Sequence, residues 1–128
     1  MYKAGHHGSN TSSSPEFLSV IKPKIVVVTC VAGSVEYTQN LKNTFPTQNF
    51  IENVSKFTDK VYVTSYIDVE LNAEGKYENK GEYKLLNGNI VISSKAGSDI
   101  ELNFSNNNFP LKETTWFKNN REAVSSWQ

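Results

Sequence analysis

Residues 25–30 read Ile-Val-Val-Val-Thr-Cys, and this β-branched run decides the fold class. Such a run is typical of a strand that is buried on both faces of a parallel or mixed sheet. A helix is predicted before it, because Ser14 can cap a helix whose first residue is Pro15. Pro23 ends that helix after Lys22. The order of helix and buried strand predicts an α/β fold.

A second helix is predicted from Pro46 or Thr47 to Phe57, because the apolar residues of this segment fall on one helical face. Residues 61–66 form the next predicted strand, which completes a βαβ-like unit. Asn87-Gly88 predicts a type I′ hairpin between strands at 83–86 and 89–94. The remaining predictions are a strand end at 1–4, a loop at 31–45, a strand at 100–104 and a terminal helix at 111–124.

Length and composition predict one domain over residues 1–128, and they exclude several functional classes. Thirteen basic residues balance thirteen acidic ones, so no basic stripe suggests nucleic-acid binding. Apolar runs are shorter than the roughly 18 residues of a membrane span. No signal peptide is recognisable, so a chain synthesised as written is expected in the cytoplasm, and the location of a longer parent stays open. Cys30 is expected to be a small core residue.

The chain has two histidines, and they are adjacent in Gly5-His6-His7-Gly8, followed by Ser9. Neutral imidazole is the commonest metal ligand and a common general base. Flanking glycines allow a close approach to an ion. Because no other histidine exists, a metal site here must be completed by carboxylates, by water or by another chain. An exposed pair without a ligand, or one ring that caps a nearby helix, is the alternative.

The segment from Lys3 to Leu18, with Lys22-Pro23-Lys24 after it, resembles the metallo-β-lactamase superfamily. It is most similar to the branch that contains the hydrolase domain of the bacterial competence protein ComEC. In that branch a His-His-Gly-Ser loop lies between a strand and a helix, and a Lys-Pro-x-hydrophobic strand follows. Phe45-Pro46, residues 61–64 and residues 87–90 continue in the same order, so the resemblance covers residues 1 to about 105.

The resemblance implies a four-layer αββα sandwich that binds two metal ions, usually zinc, and hydrolyses an ester, amide or phosphodiester. This chain would be the C-terminal half, a mixed sheet with two or three helices, without the N-terminal metal-binding half. The histidine of the loop is the last metal ligand of the family. The resemblance assigns that role to His6, with His7 as a supporting or alternative ligand. Gly8, Ser9 and Asn10 would form the substrate-side loop.

Several family features are missing. The His-x-His-x-Asp-His motif and the Gly-Asp segment with the bridging aspartate do not occur, and Phe45 replaces a substrate-side histidine. A catalytic zinc needs three protein ligands and an open position. No carboxylate has ligand spacing to the histidines, and surface charge is the expected function of the four considered, Glu16, Glu36, Asp59 and Asp68.

These observations predict a hydrolase fragment that supplies one histidine, binds zinc weakly at most and is inactive alone, with no catalytic residue assigned. Its partner would be the missing N-terminal half or a second copy. A non-enzymatic interaction module is the alternative, because half a sandwich exposes a sheet face through which two copies could dimerise. A third possibility is an unrelated α/β domain in which the His-His-Gly-Ser sequence is fortuitous.

Overall fold

The computed structural model describes residues 1–97 and 99–128, and it shows an α/β fold built on a mixed four-stranded sheet. The sheet order is β1 (Tyr2–Lys3), β2 (Val26–Ala32), β3 (Val61–Leu71) and β4 (Tyr77–Leu85). The first three strands are parallel, and β4 is antiparallel to β3. A separate antiparallel pair consists of β5 (Ile90–Ser93) and β6 (Glu101–Phe104). The helices are α1 (Pro15–Ile21), α2 (Gln48–Ser55) and α3 (Thr115–Asn120).

The two predicted N-terminal helices are confirmed, and local capping explains where they begin. The Ser14 hydroxyl accepts a hydrogen bond from the Phe17 amide at 3.2 Å at the start of α1. The Thr47 hydroxyl accepts one from the Phe50 amide at 3.0 Å at the start of α2. Each helix links two parallel strands, so the chain contains two consecutive βαβ units, and the second is the one predicted.

The core lies between the sheet and the helices. Val26, Val27 and Val28 are all buried, as expected for a strand that is covered on both faces. Phe50 and Ile51 of α2 are fully buried against this part of the sheet. The C-terminal segment adds four buried core residues, Leu111, Trp116, Phe117 and Val124.

The predicted hairpin at Asn87-Gly88 is wrong. Strand β4 pairs with β3, and β5 pairs with β6, so residues 86–89 join two sheets. A type I′ turn needs a positive φ at both central residues, and only Gly88 has one, at 70°. The buried Asn87 amide is instead bonded to the Val63 carbonyl and to the backbone of Phe109. These tertiary contacts therefore override the conformation that local turn chemistry suggested.

Other predicted boundaries also change. The terminal helix is three short pieces, a 3-10 turn at Leu111–Glu113, α3, and a 3-10 turn at Ser125–Trp127. It is interrupted because the backbone of Arg121 is extended, with φ −134°. Strand β3 runs five residues beyond the predicted end at 66, to Leu71. The predicted loop at 31–45 contains the end of β2 and a 3-10 turn at Leu41–Asn43.

Candidate metal-binding site at the histidine loop

The two histidines lie in a tight turn at the carboxyl end of β1. The 3-10 turn covers Gly5–His7 and directly follows this strand. His6 and His7 both have left-handed backbones, with φ values of 45° and 55°. Residues other than glycine rarely adopt this conformation, and it persists only where the surroundings enforce it. Strained turns at the carboxyl ends of parallel strands are common positions for ligand sites in α/β proteins.

Gly8 attaches the turn to the start of α2. Its carbonyl accepts a hydrogen bond from the Thr47 amide at 2.9 Å. Its backbone has φ 76°, and a Cβ placed on it would lie 2.9 Å from the Cβ of Pro46. Glycine is therefore required at this position both by backbone conformation and by space.

The His7 side chain is held by the neighbouring strand β2. Its Nδ1 lies 2.5 Å from the Thr29 carbonyl oxygen. A carbonyl oxygen only accepts hydrogen bonds, so Nδ1 carries the proton and the lone pair of the neutral ring is on Nε2. The side chain is exposed. Metal-binding histidines typically have this arrangement, in which a backbone carbonyl fixes the tautomer and leaves the second nitrogen free.

His6 differs from His7 in its environment. Its side chain is also exposed, and it makes no hydrogen bond to any residue within the described ranges. Its carbonyl accepts a bond from the Ser9 amide at 3.0 Å, which closes the turn. Of the two adjacent imidazole rings, only that of His7 is therefore held in one orientation by a hydrogen bond among the described residues.

Aromatic side chains flank His7 on the side of residues 37–46. The ring centroids of His7 and Phe45 are 6.0 Å apart, and those of Phe45 and Tyr37 are 6.2 Å apart. Phe45 is partly buried and Tyr37 is exposed. Position 45, where the resemblance implied a substrate-side residue, therefore lies beside His7, and its side chain is apolar.

The predicted substrate-side residues take different positions. Ser9 is buried, and its hydroxyl bonds within the loop to the Thr11 hydroxyl at 2.9 Å. Asn10 is exposed and donates a hydrogen bond to the Asn43 side chain at 3.2 Å. Ser9 therefore shapes the loop from inside, while Asn10 lies on its surface.

Few other metal donors are available. Among residues 1–97 and 99–128, no group of three or more His, Cys, Asp or Glu side chains could hold a metal ion. Asp59 pairs with Lys112 and Asp68 with Lys84, each at 2.7 Å, and both carboxylates are half exposed. Glu16 and Glu36 are exposed as well. All four carboxylates considered from the sequence lie at the surface, as expected.

Cys30 packs against the hydrophobic core, as the sequence suggested. Burial raises the pKa of its thiol to about 12, and the nearby Arg121 charge lowers it less strongly. The thiol is therefore protonated at neutral pH. Thiolate is the form that attacks substrates, so this environment does not activate Cys30 as a nucleophile.

Sequence reasoning missed the Thr29 carbonyl and Arg121. Thr29 could have been found, because a βαβ unit places the end of β2 beside the end of β1. Arg121 carries no sequence signal, since it lies in a segment that was predicted to be an ordinary helix. Its contacts with residues 44–46 exist only in the folded chain.

No family model matches the chain, and no curated protein or solved structure is detectably similar to it. Within the described part of the chain, no helix is long and apolar enough to cross a membrane.

Proposed function

We propose that this chain is the C-terminal half of a metal-dependent hydrolase of the metallo-β-lactamase type. Its histidine loop would supply one imidazole to a site that holds two zinc ions in the intact enzyme. The observation that supports this proposal best is the hydrogen bond from His7 Nδ1 to the Thr29 carbonyl. It fixes the neutral tautomer and leaves the lone pair of Nε2, on an exposed ring, free to bind a metal.

His7 is the better ligand candidate of the two histidines. A ring that is already oriented loses less rotational entropy when it binds a metal than a free ring does. His6 remains the assignment from the resemblance, and its exposed ring has no such support. We therefore assign the metal contact to His7 and a turn-forming role to His6.

The remaining ligands would come from the N-terminal half. When bound, zinc would lower the pKa of a coordinated water and polarise the scissile group. Residues of this chain would orient one ligand through Thr29 and place the Phe45 ring beside it. One or two imidazoles fall short of the three protein ligands of a catalytic zinc. The isolated chain is therefore expected to bind zinc weakly and to have no activity.

Zinc titration followed by NMR tests the ligand assignment. We expect weak binding with shifts centred on residues 5–9 in the wild type, and its loss in His7→Ala. His6→Ala is the matched control, because it removes a neighbouring exposed imidazole, and it should retain most of the binding. Equal binding by the wild type and His7→Ala would contradict the assignment.

An activity assay tests whether the chain needs its missing half. The isolated protein, with zinc or manganese, is tested against nitrocefin, phosphodiester and thioester substrates. We expect no turnover above that of the metal alone. Robust turnover that disappears in His7→Ala would show that the chain is a complete enzyme. A His-x-His-x-Asp-His motif in the coding sequence upstream would support the proposal directly.

A non-enzymatic dimerisation module is the second candidate. Apolar side chains are more than half exposed on β3, β4 and β5, namely Leu71, Tyr83, Leu85 and Val91. Exposed apolar surface of this kind is a common feature of protein interfaces. Sedimentation should then detect a dimer that Val91→Lys weakens. A monomer at high concentration would count against this candidate.

A further inference from the structure

Arg121 is a buried cation that binds backbone carbonyls. It is 8% exposed, and its terminal Nη2 donates to the Thr44 carbonyl at 2.9 Å and to the Thr44 hydroxyl at 2.8 Å. The Pro46 carbonyl accepts from Nη2 at 3.1 Å and from Nε at 3.3 Å. No carboxylate forms an ion pair with it within residues 1–97 and 99–128.

The guanidinium is also covered by an aromatic ring. Its central carbon lies 4.7 Å from the centroid of the Trp116 ring. Burial lowers its pKa to about 10, with an opposing effect of Cys30, so it remains charged at neutral pH. A buried charge without a counter-ion is costly unless several hydrogen bonds satisfy it. Here those bonds converge on residues 44–46, and Arg121 therefore fixes the path of that short segment.

Residues 45–47 make three contacts with the histidine turn, one at His7 and two at Gly8. The Phe45 ring lies against His7, with 6.0 Å between ring centroids. One residue further on, Pro46 leaves no space for a Cβ at Gly8. The Thr47 amide then donates to the Gly8 carbonyl at 2.9 Å. A displacement of this segment would remove the contacts that the turn makes at His7 and at Gly8.

We infer that Arg121 is a positioning residue for His7, acting through the backbone of residues 44–46. It does not touch the metal position. It holds Phe45 and Pro46 so that the turn keeps its left-handed backbone and the His7 ring keeps its bond to Thr29. The effect on metal binding rests on the proposed function, whereas the effect on the His7 tautomer does not.

The tautomer can be measured without metal by long-range proton–nitrogen NMR correlation of the His7 ring at about pH 8. The wild type should carry its proton on Nδ1. Arg121→Met removes the hydrogen bonds and should give a mixture of both tautomers. Arg121→Lys keeps the charge and part of the bonding, and it should retain more of the Nδ1 form than Arg121→Met does. Lys118→Met, an exposed neighbour on α3, should match the wild type.

Zinc affinity is a second readout. It should fall about tenfold in Arg121→Met, which is a typical loss when a residue that orients a metal ligand is replaced. If Arg121→Met does not fold, Thr44→Val removes one acceptor and should shift the tautomer in the same direction. An unchanged tautomer in the folded variant, or a shift in Lys118→Met as well, would overturn the inference. If the wild type binds no zinc but Arg121 still controls the tautomer, only the proposed function fails.

Discussion

The two ends of β3 differ in how deeply their side chains are buried. From Val61 to Ile67, alternate side chains are buried against the helices, and this end lies beside β2. From Asp68 to Leu71, the side chains are exposed or partly exposed, and the strand pairs only with β4. We call residues 1–67 and 111–127 the packed region, and residues 68–110 the outer region.

This contrast shows which interactions maintain the candidate site. The packed region is held by apolar burial, caps and the buried Arg121, and it contains the histidine turn. The outer region has two hairpins whose side chains are mostly exposed. Among the residues of this region that the structure describes, Asn87 is the one buried polar residue, and it connects the region to β3. The packed region should therefore account for most of the stability, and the following variants test this comparison.

The largest difference in the free energy of unfolding is expected between two leucine-to-alanine variants. Leu111 is fully buried in the packed region, whereas Leu71 is 58% exposed in the outer region. Leu111→Ala should lower the free energy of unfolding by about 2–5 kcal/mol. Leu71→Ala should change it by no more than about 0.5 kcal/mol. Chemical denaturation measures both, and a comparable loss in Leu71→Ala would mean that the outer region is covered in an assembly.

Asn87→Ala tests the connection between the regions. The variant loses three hydrogen bonds, to Val63 and Phe109, and leaves buried backbone groups without partners. The free energy of unfolding should fall by about 2 kcal/mol, within the usual cost of unsatisfied buried groups. Asn108→Ala is the matched control, because Asn108 is exposed, and it should be nearly neutral. Similar stability for both variants would show that the regions are independent.

Gly8 and Gly97 have the same φ, so alanine substitutions at the two positions distinguish the cost of backbone strain from the cost of close packing. Gly8 and Gly97 both have φ 76°, but a Cβ would clash with Pro46 only at Gly8. Gly97→Ala should cost about 1 kcal/mol from backbone strain. Gly8→Ala should cost about 1 kcal/mol more, because Pro46 must move. Thermal unfolding compares them, and equal losses would argue against close packing of the histidine turn.

The smallest change in the free energy of unfolding is expected from the surface ion pair between Asp59 and Lys112. The hydrogen bond from Lys112 lowers the pKa of Asp59 from its ordinary value of 3.8. A carboxyl group with a lowered folded pKa stabilises the protein above its unfolded pKa, and this contribution disappears as the pH falls through the folded pKa. Because the pair is half exposed, Asp59→Asn should cost less than about 1 kcal/mol at neutral pH.

Unfolding of the wild type and Asp59→Asn is compared at about pH 7 and about pH 2, with the stability difference expected only at the higher pH. Added salt should reduce the difference at neutral pH. A difference that persists at low pH would assign the effect to packing.

The elements that were predicted correctly carry their signals within a few residues. Ser14 and Thr47 are caps that bond to amides three residues ahead, and the β-branched run needs no distant partner to favour a strand. Asn87 had an equally strong local signal, and its prediction was wrong because a buried amide bonded to Val63 and Phe109 prevailed over turn propensity. The terminal helix was predicted too long because the backbone of Arg121 is extended, while its side chain bonds to residues 44–46, which lie far away in the chain.

Local signals in the sequence were enough to predict the α/β class, the two capped helices and the buried central strand, because these depend on local propensity and on hydrophobic pattern. The candidate ligands in the His-His turn came from the chemistry of imidazole and from the family resemblance. Only the tertiary structure distinguished His7 from His6, because the Thr29 carbonyl reaches the ring through the parallel pairing of β1 and β2. Only the tertiary structure joined Arg121 to the histidine turn. These contacts link residues that are far apart in the chain. The conformational entropy lost when such loops close is offset by the packing of the whole core.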